Sequence, residues 1–114
     1  MILDEGMTKW VNDFAGLITQ AQSGTATTLP LKTDTGLTSV VSATIGTVTT
    51  TFSGDSVIFQ HTIGTSVANN ITLNEHELRF ANGDSLTRHL LGGVNKTASY
   101  ILITDHTVSF IRGT

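Results

Sequence analysis

Four histidines are the residues of this chain whose side chains could build a metal site or an acid–base site. They are His61, His76, His89 and His106. A preorganised metal site needs ligands at short, fixed spacings, but neither a His-x-His nor a His-Glu-x-x-His pattern occurs. In the stretch NEHEL, the neighbours Glu75 and His76 would point to opposite faces of a strand. We therefore predict structural or surface histidines, with no bound metal and no cofactor.

Other catalytic signatures are missing from the sequence. No Gly-x-Ser-x-Gly nucleophile elbow occurs, and the stretches GGVNK and SGTATT lack the Gly-Lys-Ser/Thr ending of a phosphate-binding loop. The chain has no cysteine, which excludes thiol catalysis and disulfide bonds. The sequence thus predicts a protein that is not an enzyme and has no catalytic residues.

Two stretches match the N-glycosylation acceptor pattern, namely NIT at residues 70–72 and NKT at residues 95–97. The first residues, MILDE, carry acidic side chains where a secretory signal peptide carries basic ones. We expect a chain made and kept in a cytoplasm, where it would not meet a glycosylating enzyme. Asn70 and Asn95 are therefore interpreted as turn formers, because an asparagine side chain bonds readily to nearby backbone.

The composition indicates one low-charge domain. The chain has 114 residues, and its charged fraction of 13% compares with about 25% in ordinary globular domains. Threonine is abundant, which favours strands and a surface suited to contact with other subunits. The net charge of −3 leaves no basic face for nucleic acid. No run of about 20 apolar residues occurs, so we expect no membrane span.

Residues 3–18, LDEGMTKWVNDFAGLI, carry apolar side chains at a helical period. Asp4 and Glu5 fall in the first turn, where the helix dipole favours anions. Because Lys9 is the only basic residue of this segment, we expect the helix to pack on the sheet or on a neighbouring copy and not on a membrane. The candidate packing or oligomer contacts are Met7, Trp10, Val11 and Phe14.

The rest of the chain predicts about six strands joined mainly by hairpins. The predicted extended segments are residues 20–25, 40–51, 57–63, 71–80 with a break near 74–76, 85–91 and 100–111. Turns are predicted at SGD, ANGD and GGVNKT, and an open loop runs to about residue 38. The last strand is apolar on both faces, which favours a central strand covered on two sides.

These elements predict an antiparallel β-sandwich with one N-terminal α-helix. We expect a single domain over residues 1–114, with the helix at about 3–18 and the β-sandwich at about 40–112.

Four segments, taken in order, resemble a family of small structural proteins of tailed viruses, the tail-fibre or minor tail proteins. They are LDEGMTKW at residues 3–10, GTATTLP and DTGL between residues 24 and 37, ITLNEHELRF at 71–80, and VNKT at 94–97. The sequence departs from the family pattern at Ala26, where a glycine is usual, at Gly36, where an alanine is usual, and within residues 74–80.

The resemblance implies a non-enzymatic virion component, made in the host cytoplasm and held by contacts with itself and with other virion proteins. A homotrimer is expected by analogy, because viral fibres and capsid decorations commonly use three-fold axes. A tail-fibre or baseplate position is favoured by the family, and a capsid decoration protein or head-fibre base is the alternative. A carbohydrate-binding β-sandwich that contacts a host surface glycan is a further alternative, although such modules usually expose aromatic rings.

Overall fold

The computed structural model describes residues 1–111 of the chain as one helix followed by seven strands. The elements are α1 (Asp4–Leu17), β1 (Ile18–Gly24), β2 (Val40–Thr47), β3 (Thr49–Ser53), β4 (Ser56–Ile63), β5 (Ile71–Phe80), β6 (Ser85–Lys96) and β7 (Leu102–Ser109).

Two packed antiparallel sheets confirm the predicted β-sandwich with an N-terminal helix. The four-stranded sheet has the order β2-β1-β5-β6, and the three-stranded sheet has the order β3-β4-β7. Strand β1 lies inside the four-stranded sheet, between β2 and β5. The sheets therefore begin at Ile18 and not near residue 40, whereas the expected end at residue 112 lies outside the described residues.

Helix α1 covers one end of the sandwich. Its buried residues Met7, Val11 and Ala15 recur every four positions, so they form one face of the helix. They belong to a core cluster with residues from β1, β4 and β5. The half-buried Phe14 packs edge-on against Phe59, with the ring centroids 6.1 Å apart.

The SGD and ANGD hairpins form as predicted, because a glycine takes a left-handed conformation in each. Gly54 has a φ of 61° and Gly83 a φ of 93°. The segment predicted as one strand over residues 40–51 is divided at Val48 into β2 and β3, which belong to different sheets.

The turn predicted at GGVNKT is wrong, because β6 continues through this segment to Lys96. Pairing jumps from Glu75 opposite Leu90 to Leu73 opposite Val94, so β6 bulges here while β5 skips only Asn74. Two consecutive glycines with φ values of 78° and 82° permit the bulge. The break predicted near residues 74–76 of β5 corresponds to this shift in register.

Strand β7 is an edge strand of the three-stranded sheet, which corrects the prediction of a central strand. Its even-numbered residues are half-buried and its odd-numbered residues are exposed. Ile103 therefore places an apolar side chain on the outer face and is 48% exposed, and Ile101, just before the strand, is exposed as well. The apolar residues on both faces of this strand predicted that both faces would be buried, but within the described residues only one face of β7 packs against other elements.

Candidate functional site

The four histidines form one continuous row inside the sandwich. The ring centroids are 5.2 Å apart from His61 to His76, 5.2 Å from His76 to His89, and 5.0 Å from His89 to His106. His61 and His76 are fully buried, whereas His89 and His106 are half-buried. The row therefore runs from the centre of the protein towards its surface.

Each histidine comes from a different strand, which explains why the sequence did not reveal the row. His61 lies on β4, His76 on β5, His89 on β6 and His106 on β7. His76 and His89 are directly paired across β5 and β6. The contacts from His61 to His76 and from His89 to His106 cross between the two sheets.

Hydrogen bonds determine the tautomers at the buried end of the row. The Nε2 atom of His61 lies 2.9 Å from the carbonyl oxygen of Thr44, so it must carry a proton and donate. In a neutral His61 ring, Nδ1 is then an acceptor, and it lies 3.1 Å from Nε2 of His76, which must be the donor. His76 Nδ1 is left as a buried acceptor with no hydrogen-bond partner.

The environment of the row favours neutral imidazoles. Burial, together with repulsion from positive charge on His61, His89 and His106, lowers the pKa of His76 to about 3. Burial lowers the pKa of His61 by more than the hydrogen bond to Thr44 raises it. Burial also lowers the pKa of His106, and burial together with the neighbouring His106 lowers that of His89.

The row does not have the geometry of a metal centre. The rings follow one another along a line, and within residues 1–111 no three His, Asp or Glu side chains are grouped so that they could hold an ion. What the arrangement can bind is protons, because His76 and His89 each present a buried Nδ1 atom without a hydrogen-bond partner.

A second buried polar cluster lies on the opposite face of β5. The carboxylate of Glu75 is fully buried and accepts hydrogen bonds from the backbone N–H groups of Ala26 (3.1 Å), Thr38 (3.0 Å) and Ser39 (2.8 Å). Burial raises the pKa of Glu75, but these bonds and one from Arg88 outweigh it, so the pKa is lowered overall. One carboxylate thus fastens both ends of the loop over residues 25–39.

Arg88 on β6 fastens the middle of the same loop. Its Nε donates to Glu75 at 3.0 Å, one terminal nitrogen donates to Asp34 at 3.2 Å, and the other donates to the carbonyl and hydroxyl oxygens of Thr28, each at 2.9 Å. Every guanidinium nitrogen therefore has a partner within the chain, as expected of a structural arginine.

A cleft of about 230 Å³ lies between this loop and β6, and it bears on the carbohydrate-binding alternative. Its polar side chains include those of Lys32, Asp34 and Thr87. No aromatic ring lines it, and Asp34 is already bonded to Arg88. The cleft therefore lacks the stacking surface that a sugar-binding site commonly uses.

The candidate packing residues of the helix divide into two groups. Met7 and Val11 are buried and Phe14 is half-buried, so these three pack within the chain. Trp10 is 56% exposed. Leu3 and Leu17, spaced seven residues on either side of Trp10, are also exposed. The three form an outward apolar stripe, and their seven-residue spacing was the signal in the sequence that could have separated them from the core face.

The two glycosylation-like stretches lie in different settings. Asn70 is in a turn with a φ of 63°, as interpreted from the sequence. Asn95 is not in a turn, because it belongs to β6 opposite Thr72. The adjacent Lys96 is fully buried, and its Nζ donates to the side chain of Asn69 at 3.0 Å and to the carbonyl of Thr97 at 2.8 Å.

Among residues 1–111, none of the helical segments has both the length and the apolar character that a membrane crossing requires.

The protein is therefore a β-sandwich that has a row of histidines between its two sheets. A loop held by the Arg88–Glu75 ion pair lies on the outer face of its four-stranded sheet. Comparison with protein-family models, with curated proteins and with solved structures finds no match to this chain.

Proposed function

We propose that this chain is a non-enzymatic structural component of a tailed-virus particle, of the tail-fibre or baseplate kind. The proposal rests on the four segments that resemble that family. It is supported by one structural observation, which is that two of these segments bind each other through buried groups. The backbone of residues 26–39 is bonded to Glu75 in the segment ITLNEHELRF.

This contact gives the resembling segments a structural role. The loop is held by a carboxylate that accepts four hydrogen bonds and by an arginine that donates to three residues. Both charged groups are fully hydrogen-bonded to the loop and to each other, so they are not free to bind a substrate. A loop held by many hydrogen bonds on a low-charge sandwich suits a protein that acts through contacts with neighbouring proteins.

The proposed partners are further copies of the chain, in a homotrimer, and other virion proteins. The outward stripe of Leu3, Trp10 and Leu17 lies beside the buried face of α1 and offers an apolar surface to a neighbouring copy. Further exposed apolar side chains are those of Ile103, on the outer face of β7, and of Ile101, just before that strand. Large apolar side chains left in water favour association, which would cover them.

Particle composition tests the proposal. We expect mass spectrometry of purified particles to find the chain at a fixed stoichiometric copy number, and labelled antibody to place it on the tail. Labelling on the capsid would favour the decoration protein or head-fibre base instead. Absence from purified particles would refute a virion role. Sedimentation of the isolated protein tests the trimer separately, and a monomer at all concentrations would contradict it.

A further inference from the structure

The histidine row divides the apolar interior into two parts. On β4, His61 lies between Phe59 and Ile63 on the same inward face. On β5, His76 precedes Leu78, which belongs with Phe59 to the cluster under the helix. Ile63 is also buried, yet it lies outside that cluster. A layer of imidazoles thus separates the helix-side core from the opposite end of the sandwich.

Contacts between imidazoles link the two sheets across this layer. His61 faces His76 across the interior, and His106 faces His89. Neutral rings can pack and hydrogen-bond in this way, as His61 and His76 do at 3.1 Å. Charged rings about 5 Å apart would repel each other in a region with little water to screen them.

No Asp or Glu lies on the inward face of the four strands that carry the histidines. The charges that lower the pKa values of His76 and His89 belong to other histidines of the row. Strands β1 and β2 contain no titratable side chain and contribute the Thr44 carbonyl. On the strands that carry the histidines, the charged neighbours Glu75, Glu77, Arg88 and Asp105 alternate with them and so point away.

We propose that the histidine row is a pH-controlled latch between the two sheets, which holds them together when its imidazoles are neutral and lets them separate at the β6–β7 end in mildly acidic solution. The half-buried His89 and His106 take up protons first, because they lie nearest to solvent. Their mutual repulsion then pushes β6 and the edge strand β7 apart. This proposal does not depend on the viral role.

The direction of the pH effect follows from proton binding in the two states. Each histidine has a lower pKa in the folded protein than its ordinary value of 6.5, so the unfolded chain binds more protons below that pH. Stability is therefore complete above pH 6.5 and falls as the pH is lowered. Each histidine that stays neutral in the folded state lowers the folding equilibrium constant by up to about tenfold per pH unit.

The first experiment measures urea unfolding of the intact chain by circular dichroism at a series of pH values from 8 to 5. We expect the folding constant to fall below pH 6.5 by more than about tenfold per pH unit, because more than one histidine contributes. His106→Gln should reduce this slope. The matched control Thr107→Gln, on the exposed face of the same strand, should leave it unchanged. A constant that does not change between pH 7 and 5 would overturn the latch.

The second experiment locates the opening by amide hydrogen exchange of the unmodified protein at pH 7 and pH 5.5, corrected for intrinsic exchange rates. We expect residues 102–109 of β7 and the facing part of β6 to lose protection before β1 and β5. Equal loss of protection in all strands would refute a latch, since the row would then be only a source of acid instability. Because this measurement uses the unmodified protein, it tests the latch even if His106→Gln does not fold.

Discussion

The Nε atom of Arg88 lies 3.0 Å from Oε1 of Glu75, and this buried ion pair holds the loop over residues 25–39 against the outer face of the four-stranded sheet. The two side chains are 4% and 0% exposed. Because three backbone N–H groups of the loop also donate to Glu75, this one side chain holds both ends of the loop.

Replacing the buried carboxylate should therefore be costly. We expect Glu75→Gln to lower the free energy of unfolding by about 3 kcal/mol, because it leaves Arg88 buried without its closest anion. The control is Asp13→Asn at the exposed pair with Lys9, which should change it by less than about 0.5 kcal/mol. Urea unfolding at pH 7.5 measures both, and equal losses would contradict the structural role of Glu75.

Glu75 should cause a further loss of stability at pH values below those at which the histidines take up protons. The pKa of Glu75 is lowered in the folded protein, so its stabilisation is present above the ordinary value of 4.5 and is lost as the pH falls through the folded value. We expect the urea midpoint of the unmodified protein to fall further below pH 4.5. In Glu75→Gln this further fall should be smaller, and an identical acid profile in the two proteins would be inconsistent with the assignment.

Alanine substitutions at Gly24 and Gly16 should change the stability of the protein in opposite directions. A Cβ atom at Gly24 would collide with the Ser39 carbonyl and with the Glu75 carboxylate, whereas one at Gly16 meets no atom within 4 Å. We expect Gly24→Ala to destabilise the protein by about 3 kcal/mol through overpacking. Gly16→Ala, in helix α1, should stabilise it by about 0.5 kcal/mol. Thermal melts of both variants test the pair, and a neutral Gly24→Ala would show that the loop can shift.

Substitutions in the outward stripe should weaken self-association without destabilising the folded chain. Because Trp10 is largely exposed, Trp10→Asp should change the stability of the single chain by no more than about 0.5 kcal/mol while it weakens self-association. Met7→Ala, in the buried face of the same helix, should lower stability by about 2 to 5 kcal/mol. Sedimentation velocity and urea unfolding distinguish the two effects. Unaltered association of Trp10→Asp would exclude the stripe as the interface.

Chelation should not destabilise the protein. The four histidine rings contact each other in a line and do not converge on one point, so we expect folding without a metal. Incubation with excess EDTA should leave the melting temperature unchanged at pH 7.5. A fall of many degrees that zinc reverses would mean that the histidines bind a structural ion.

The features that the sequence predicted correctly are those with a local cause. The helical stripe, the alternation in residues 57–63, and the SGD and ANGD turns each depend on neighbouring residues, so the helix, β4 and two hairpins could be predicted. The glycines at 92 and 93 also gave a local signal, but the turn predicted from them was wrong. A pair of glycines can turn a chain or form a bulge, and only pairing with β5 decides between them.

The histidine row, the edge position of β7 and the loop anchored by Glu75 were decided by tertiary structure. His76 and His106 are far apart in the chain and share a row only because of the register between β5 and β6 and the packing of the two sheets. Likewise, Trp10 and Met7 both fit an apolar helical stripe, and only the angle at which the helix meets the sheets buries one and exposes the other. Composition and periodicity determine which elements form, whereas the register and packing of distant segments determine which side chains meet.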